Sequence, residues 1–144
     1  VLDKCRALGE RDWVLDESAE FLAWVDEQRI TQAMLELAQN AVKHTSPGDG
    51  IGIGSHVDPE HGLRLWVRDT GHGVPDADKA FVFQRFGRSV VPEDDEGFGL
   101  GLSIVRAIAT AHGGTVHVED EEPNGARFVL TLPTRRREEP WLAS

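Results

Sequence analysis

One cysteine, Cys5, in 144 residues leaves no partner for an internal disulfide; this fits a reducing setting and removes disulfide-stapled folds from consideration. We expect it to be an inert thiol near the start of the chain. Positive charge is also scarce. Fifteen lysines and arginines stand against 25 aspartates and glutamates, giving a formal net charge of −10. That balance argues against general attraction to nucleic acid or to an anionic membrane surface, so an anionic ligand would have to be met by local positive groups. No run approaches the roughly 20 consecutive apolar residues that cross a bilayer, and the acidic, interrupted start does not read as a secretory signal. A soluble domain is expected. There is no Gly-x-x-x-x-Gly-Lys-[Ser/Thr] loop, no Gly-x-Gly-x-x-Gly after a strand, and no internal repeat, which excludes the Walker A cradle, the dinucleotide fingerprint and solenoid folds. The chain opens on Val1 rather than methionine, so we expect a piece of a longer protein.

What is present is enough for one core, with 40% apolar residues in a length too short for two comfortable domains. After a polar opening dozen that reads as the end of a helix, Trp13-Val14-Leu15 and Phe21 to Val25 read as short strands around an acidic turn. From about Glu27 to His44 the period changes. Ile30, Ala33, Met34, Leu37, Ala38, Ala41 and Val42 recur at three- and four-residue steps, predicting an amphipathic helix stopped by Ser46-Pro47-Gly48. A hairpin follows, with Ile51 and Ile53 alternating against glycines, and Leu63, Leu65 and Val67 alternating with Arg64, Trp66 and Arg68. A short apolar segment, Phe81 to Phe86, leads to the aperiodic acidic stretch Pro92 to Glu96, read as a mobile loop. A second amphipathic helix runs through Leu102, Ile104, Val105, Ile108 and Ala111 to Gly113-Gly114, and strands Thr115 to Glu119 and Arg127 to Leu132 flank an Asn124-Gly125 turn.

Three groups of residues carry chemistry. At 100° per residue, Glu36, Asn40 and Lys43 fall together on the first helix, away from its apolar stripe. A carboxylate, an amide oxygen and an ammonium at that spacing suit a metal phosphate, although such an edge also suits an ordinary surface helix. Asp69-Thr70-Gly71-His72-Gly73 sets an acid at a strand end beside two residues without side chains. A flat ligand could approach that backbone while the carboxylate accepts a hydrogen bond, as from the exocyclic amine of adenine, and a plain turn fits equally. Gly97-Phe98-Gly99-Leu100-Gly101-Leu102 sits directly before a helix, where unpaired N–H groups and the helix dipole favour phosphate oxygens.

The order of these elements resembles the catalytic ATP-binding domain of bacterial sensor histidine kinases, within the gyrase/Hsp90/histidine kinase/MutL superfamily. Gln32 to Thr45 is similar to its N box, Asp69 to Gly73 to its first glycine box, Phe83-Gln84-Arg85-Phe86-Gly87-Arg88 to its F box, and Gly97 to Leu102 to its second glycine box. The resemblance covers about Trp13 to Pro133. Residues 1–12 are then a segment leading from a missing dimerisation region, residues 13–133 the catalytic domain, and residues 134–144 a solvated tail.

The resemblance implies an α/β (α+β) two-layer sandwich of the Bergerat type, a mixed sheet of about five strands packed on three helices, with ATP between the helices and a flexible lid. It implies that Asn40, with Glu36 beside it, serves Mg²⁺, that Lys43 and His44 contact phosphate, and that Asp69 recognises adenine. By the same resemblance Gly71 and Gly73 let the base approach. Gly97, Gly99, Leu100 and Gly101 form the lid hinge and phosphate end, with Arg85 and Arg88 as γ-phosphate contacts. Many family members carry asparagine where Glu36 stands, and Gly87 replaces a common aromatic. The phosphoacceptor is a histidine in a separate dimerisation domain of the parent kinase, with a response regulator downstream; none of the six histidines here has its sequence context. His56, His61 and His117 read as surface or strand residues and His72 as a loop residue without chemical duty. The implied setting is cytoplasmic, whether or not the parent is anchored in a membrane, without nucleic acid or direct membrane contact. Glu36 keeps open a superfamily ATPase or an anti-sigma-factor-type serine kinase, and a nucleotide-free interaction module is the remaining alternative.

Overall fold

The computed structural model describes residues 2–17, 27–83 and 100–133. In chain order these form α1 (Leu2–Arg6), β1 (Asp12–Glu17), α2 (Glu27–Lys43), β2 (Gly50–Asp58), β3 (Gly62–Asp69), α3 (Asp76–Lys79), α4 (Leu100–Ala111), β4 (Thr115–Asp120) and β5 (Ala126–Leu132). The strands make one sheet in the order β1-β2-β3-β5-β4. Only the β1–β2 pairing is parallel, so the sheet is mixed. The two-layer sandwich and the five strands are as the sequence leads one to expect. Helical segments number four among the described residues, where the resemblance implies three; α1 and α3 are single short turns beside the long α2 and α4. The strand expected at Phe21 to Val25 and the tail from residue 134 lie outside the described residues.

Alternation decides which side of the sheet is core. Leu63, Leu65 and Val67 of β3 and Phe128, Leu130 and Leu132 of β5 point to the layer occupied by α2 and α4, and join Ala33, Met34, Leu37 and Ala41 of α2 with Leu102 and Val105 of α4 in one cluster. Cys5 lies in the same cluster, fully buried, and burial raises its thiol above the ordinary range. The segment before Trp13 therefore packs on the domain: the Trp13 indole N–H donates to the Gly9 carbonyl at 3.0 Å.

The opposite face is polar and closely fitted. Trp66 and Arg68 of β3 reach across β2, where a Cβ on Gly52 would overlap the Asp16 carboxylate and the Arg68 guanidinium, and one on Gly54 would overlap the Trp66 ring. Trp66 is only 7% exposed there, with the Arg127 guanidinium 5.2 Å from its ring centroid. Glycine in β2 thus makes room for large neighbours.

Candidate functional site

The apolar stripe of α2 faces the sheet as its period requires, but Asn40 does not sit on an exposed polar edge. It is 5% exposed. Glu36 is half-buried and Lys43 exposed, so the three residues occupy three depths. The physical reason is α4, which packs along α2 and covers a second flank of it. At its first turn a Cβ on Gly101 would stand 3.4 Å from Glu36 Oε2, which places the start of α4 beside that carboxylate.

Asp69 ends β3 on the core side and is 3% exposed. Its Oδ1 accepts from the Gly71 amide at 2.8 Å and, at a longer 3.4 Å, from the Ala126 amide. Burial pushes the carboxyl above its usual range, and those two hydrogen bonds offset only part of the effect. The loop that follows is braced from a distance. The Asn124 side-chain amide donates to the carbonyls of Thr70 at 2.6 Å and Gly71 at 3.1 Å, and the Gly50 amide donates to Thr70 Oγ1 at 3.0 Å. The close approach that Gly71 and Gly73 permit is to the protein's own backbone: a Cβ on Gly71 would collide with the His44 carbonyl, and Gly73, at φ +79°, would set one 3.0 Å from the Gly125 carbonyl.

Asn40 and Asp69 come together. With His44, Gly73, Val74, Ala126 and Phe128 they line one cavity of about 10 Å³, close to the least space a single water needs. Both polar atoms of the Asn40 side chain are buried, with no hydrogen-bond partner among the described residues. Leaving such a group unsatisfied costs about 1–3 kcal/mol, enough to matter against a domain stability of about 5–15 kcal/mol, so the amide is placed to take a partner that the described residues do not supply. An amide oxygen is a ligand type for a hard cation. No cluster of three or more His, Cys, Asp or Glu able to hold a metal is found among the described residues.

His44 lies at the carboxylate end of this arrangement, its Nε2 buried in the cavity wall, and the His72 ring stands edge-on to it with centroids 5.5 Å apart. Leu100 and Gly101 open α4. Arg85, Arg88, Gly97, Gly99 and the acidic stretch Pro92 to Glu96 lie outside the described residues. A larger cavity of about 600 Å³, lined by Lys79, Phe83, Arg106 and β4 residues, contains none of the expected site residues. Sequence reasoning did not find Asn124, the Ala126 amide or the contact of His72. Nor did it find Arg11, whose guanidinium holds the end of α2 through Thr45 Oγ1 at 2.7 Å and the carbonyls of Val42 at 2.9 Å and Thr45 at 3.1 Å. All are long-range contacts without a local signal.

The chain as a whole has relatives. The family model described as histidine kinase-, DNA gyrase B- and HSP90-like ATPase matches residues 25–136. The chain belongs to that family. The signal transduction histidine-protein kinase/phosphatase MprB of Mycobacterium sp. (strain KMS) is 39% identical over 115 residues, covering 76% of this chain and 22% of that protein. The sensor protein KdpD of Escherichia coli (strain K12) is 38% identical over 112 residues, covering 78% of this chain and 12% of KdpD. This chain therefore spans about a fifth or less of either relative's length. Among solved structures, mycobacterial sensor histidine kinase MprB superposes with a TM-score of 0.77 at 28% identity, covering 93% of both chains. The catalytic domain of histidine kinase ThkA superposes with a TM-score of 0.74 at 31% identity, covering 92% of this chain and 85% of that one. Over most of its length the chain is thus similar to the catalytic domain of a histidine kinase. No helix among the described residues is long and apolar enough to cross a membrane.

Proposed function

We propose that this domain binds Mg-ATP across α2, the Asp69 loop and the start of α4, and presents the γ-phosphate to a histidine on a separate dimerisation domain of a parent kinase, for relay to a response regulator. The observation that carries this reading is that Asn40, with no partner for its amide among the described residues, and Asp69 line the same cavity.

Each side chain has a distinct task in this reading. Asp69 accepts the exocyclic amine of adenine; its burial makes an unpaired carboxylate costly, and a donor entering the cavity relieves that cost. The cavity has room for the edge of a base or one water rather than a whole ring, so the base lies over its mouth. His44, lining that cavity, belongs with the base, a change from the phosphate role expected on sequence grounds. Asn40 supplies an oxygen to Mg²⁺, Lys43 brings positive charge to the phosphates, and the backbone N–H groups at Leu100 and Gly101 face anions at the start of α4. Arg85, Arg88, Gly97 and Gly99 complete the phosphate end. Bound Mg²⁺ would neutralise charge on the β- and γ-phosphates, and the protein's share is positioning, since phosphoryl transfer needs in-line alignment more than covalent chemistry. The setting of such a domain is cytoplasmic.

Mixing the chain with a histidine-bearing dimerisation domain and labelled ATP tests the reading. Acid-labile phosphate should appear on the added domain and none on this chain alone; labelling of this chain by itself would defeat it. Glu36 beside Gly101 supports a second reading as an ATP hydrolase, with the carboxylate orienting water. Appreciable ATP turnover by the isolated chain, abolished in Glu36→Gln, would favour it.

A further inference from the structure

We infer that Asn124, in the turn between β4 and β5, is a positioning residue for recognition of the base, and decides which oxygen of Asp69 is left to meet it. The inference rests on the reading that this cavity takes adenine. The Asn124 side-chain amide donates to the Thr70 carbonyl at 2.6 Å. That carbonyl belongs to the same peptide unit as the Gly71 N–H, which donates to Asp69 Oδ1 at 2.8 Å. The unit is trans and planar, its C=O and N–H pointing in opposite directions, so holding the oxygen aims the hydrogen. A second donation from Asn124, to the Gly71 carbonyl at 3.1 Å, holds the next unit as well.

The consequence falls on the carboxylate. The Gly71 amide and the more distant Ala126 amide, at 3.4 Å, both approach Oδ1, whereas Oδ2 has no hydrogen-bond partner among the described residues. With Oδ1 engaged, Oδ2 is the acceptor offered to an exocyclic amine, and the Gly71 bond opposes the side-chain rotation that would exchange the two. The turn sits close enough to act on this peptide. A Cβ on Gly125 would collide with the Asp69 carbonyl oxygen, and the Gly125 carbonyl accepts from the Glu121 amide at 3.1 Å, which closes the turn. Lys79 ties the same hairpin down a second time: its ammonium stands 3.0 Å from Asp120 Oδ1 and donates at 3.0 Å to the carbonyl of Val74, a residue of the cavity wall. Asn124 itself is exposed, so its side chain acts on this loop and not on the core.

Titration of the parent chain, Asn124→Ala, Asn124→Asp, Asp69→Ala and the double variant Asn124→Ala with Asp69→Ala, each with ADP and GDP, tests the inference. Aspartate keeps the shape of asparagine but, ionised, has no donor for the two carbonyls. Asn124→Ala should weaken ADP binding about 2- to 10-fold, the scale of one neutral hydrogen bond, and leave GDP binding within about twofold of the parent's, so that the preference for ADP narrows. Asn124→Asp should lose at least as much. In the Asp69→Ala background, Asn124→Ala should change neither affinity by more than about twofold, because the carboxylate it acts through is gone. A residue that merely stabilised the fold would weaken both nucleotides alike in either background. Parental ADP affinity in both Asn124 variants overturns the inference alone, as does equal loss for ADP and GDP, or a loss as large without Asp69 as with it. A parent chain that binds neither nucleotide overturns the inference and the nucleotide reading together.

Discussion

Asp16 grips Arg68 with both carboxylate oxygens: Arg68 Nε donates to Oδ2 at 2.8 Å and Nη2 to Oδ1 at 2.7 Å, across the glycines of β2. The Trp66 indole N–H donates to the same Oδ2 at 3.0 Å. Asp16 reaches this place because the β1–β2 register shifts between Leu15 and Glu17, a bulge that re-aims the side chain. The contact ties the edge strand β1 to β3 directly behind Asp69, so an interaction on one face of the sheet steadies a site residue on the other.

Asp16→Ala should therefore cost about 2 kcal/mol, the scale for hydrogen bonds to charged groups, read from urea denaturation midpoints. Burial alone would raise the Asp16 carboxyl, but the hydrogen bonds from Arg68 and Trp66 and the Arg68 charge outweigh it and hold the carboxyl below the ordinary range. A depressed folded value means that this stabilisation is complete above the unfolded value of about 4 and is lost as pH falls through the folded one. Asp16→Asn should flatten that part of the pH–stability curve. An unchanged acid limb would count against the pairing.

Gly54→Ala should destabilise by about 1–3 kcal/mol, since the added methyl overlaps the Trp66 ring and strand β2 cannot yield without losing its pairing with β3. The indole fluorescence of the folded protein should shift with it. A fully stable variant would show that the ring has another seat.

Much of this architecture is legible in the chain, and the failures have a common cause. The period of three and four residues in α2 and the alternation in β3 each declare which side faces a core, so the helices and strands could be placed. Asn40 was misplaced because a single helix's period records one buried face, whereas α4 closes a second. The glycines alternating with Ile51 and Ile53 could be seen, but their purpose required knowing that Gly52 pairs with Arg68 and Gly54 with Trp66. Asn124 reads locally as a turn residue, and its grip on the Thr70 and Gly71 carbonyls exists only after the sheet has formed. Motif order therefore sufficed for the family, while the depth and bracing of the site depended on long-range packing.

Asn40→Ala separates function from stability. The substitution removes a buried amide that has no partner among the described residues, and alanine is the better helix former. Thermal denaturation of the nucleotide-free chain should show a midpoint no lower than the parent's, while the Mg²⁺-dependent part of ATP affinity disappears. A marked fall in stability would mean that the amide is satisfied within the protein.

Asp69→Asn should act in the same sense with a pH signature. Because burial raises the folded carboxyl, the folded state binds its proton more tightly than the unfolded chain. Stability is accordingly lost as pH rises from about 4 through the folded value. Asparagine retains the oxygen that accepts from Gly71 and removes that loss, so the variant should be at least as stable as the parent at pH 7, with the advantage gone below about pH 4. Adenine selectivity should vanish with the carboxylate. A variant that prefers ATP over GTP as the parent does would remove Asp69 from the base.

Calorimetric titration of the unmodified chain with ATP and ADP, in magnesium and in chelator, addresses the central claim most directly. A single site per chain is expected, selective for adenine and tighter for ATP when Mg²⁺ is present. Absence of any heat or shift in stability with either nucleotide, from chain shown to be folded, would contradict the assignment of the Asn40–Asp69 cavity to a nucleotide.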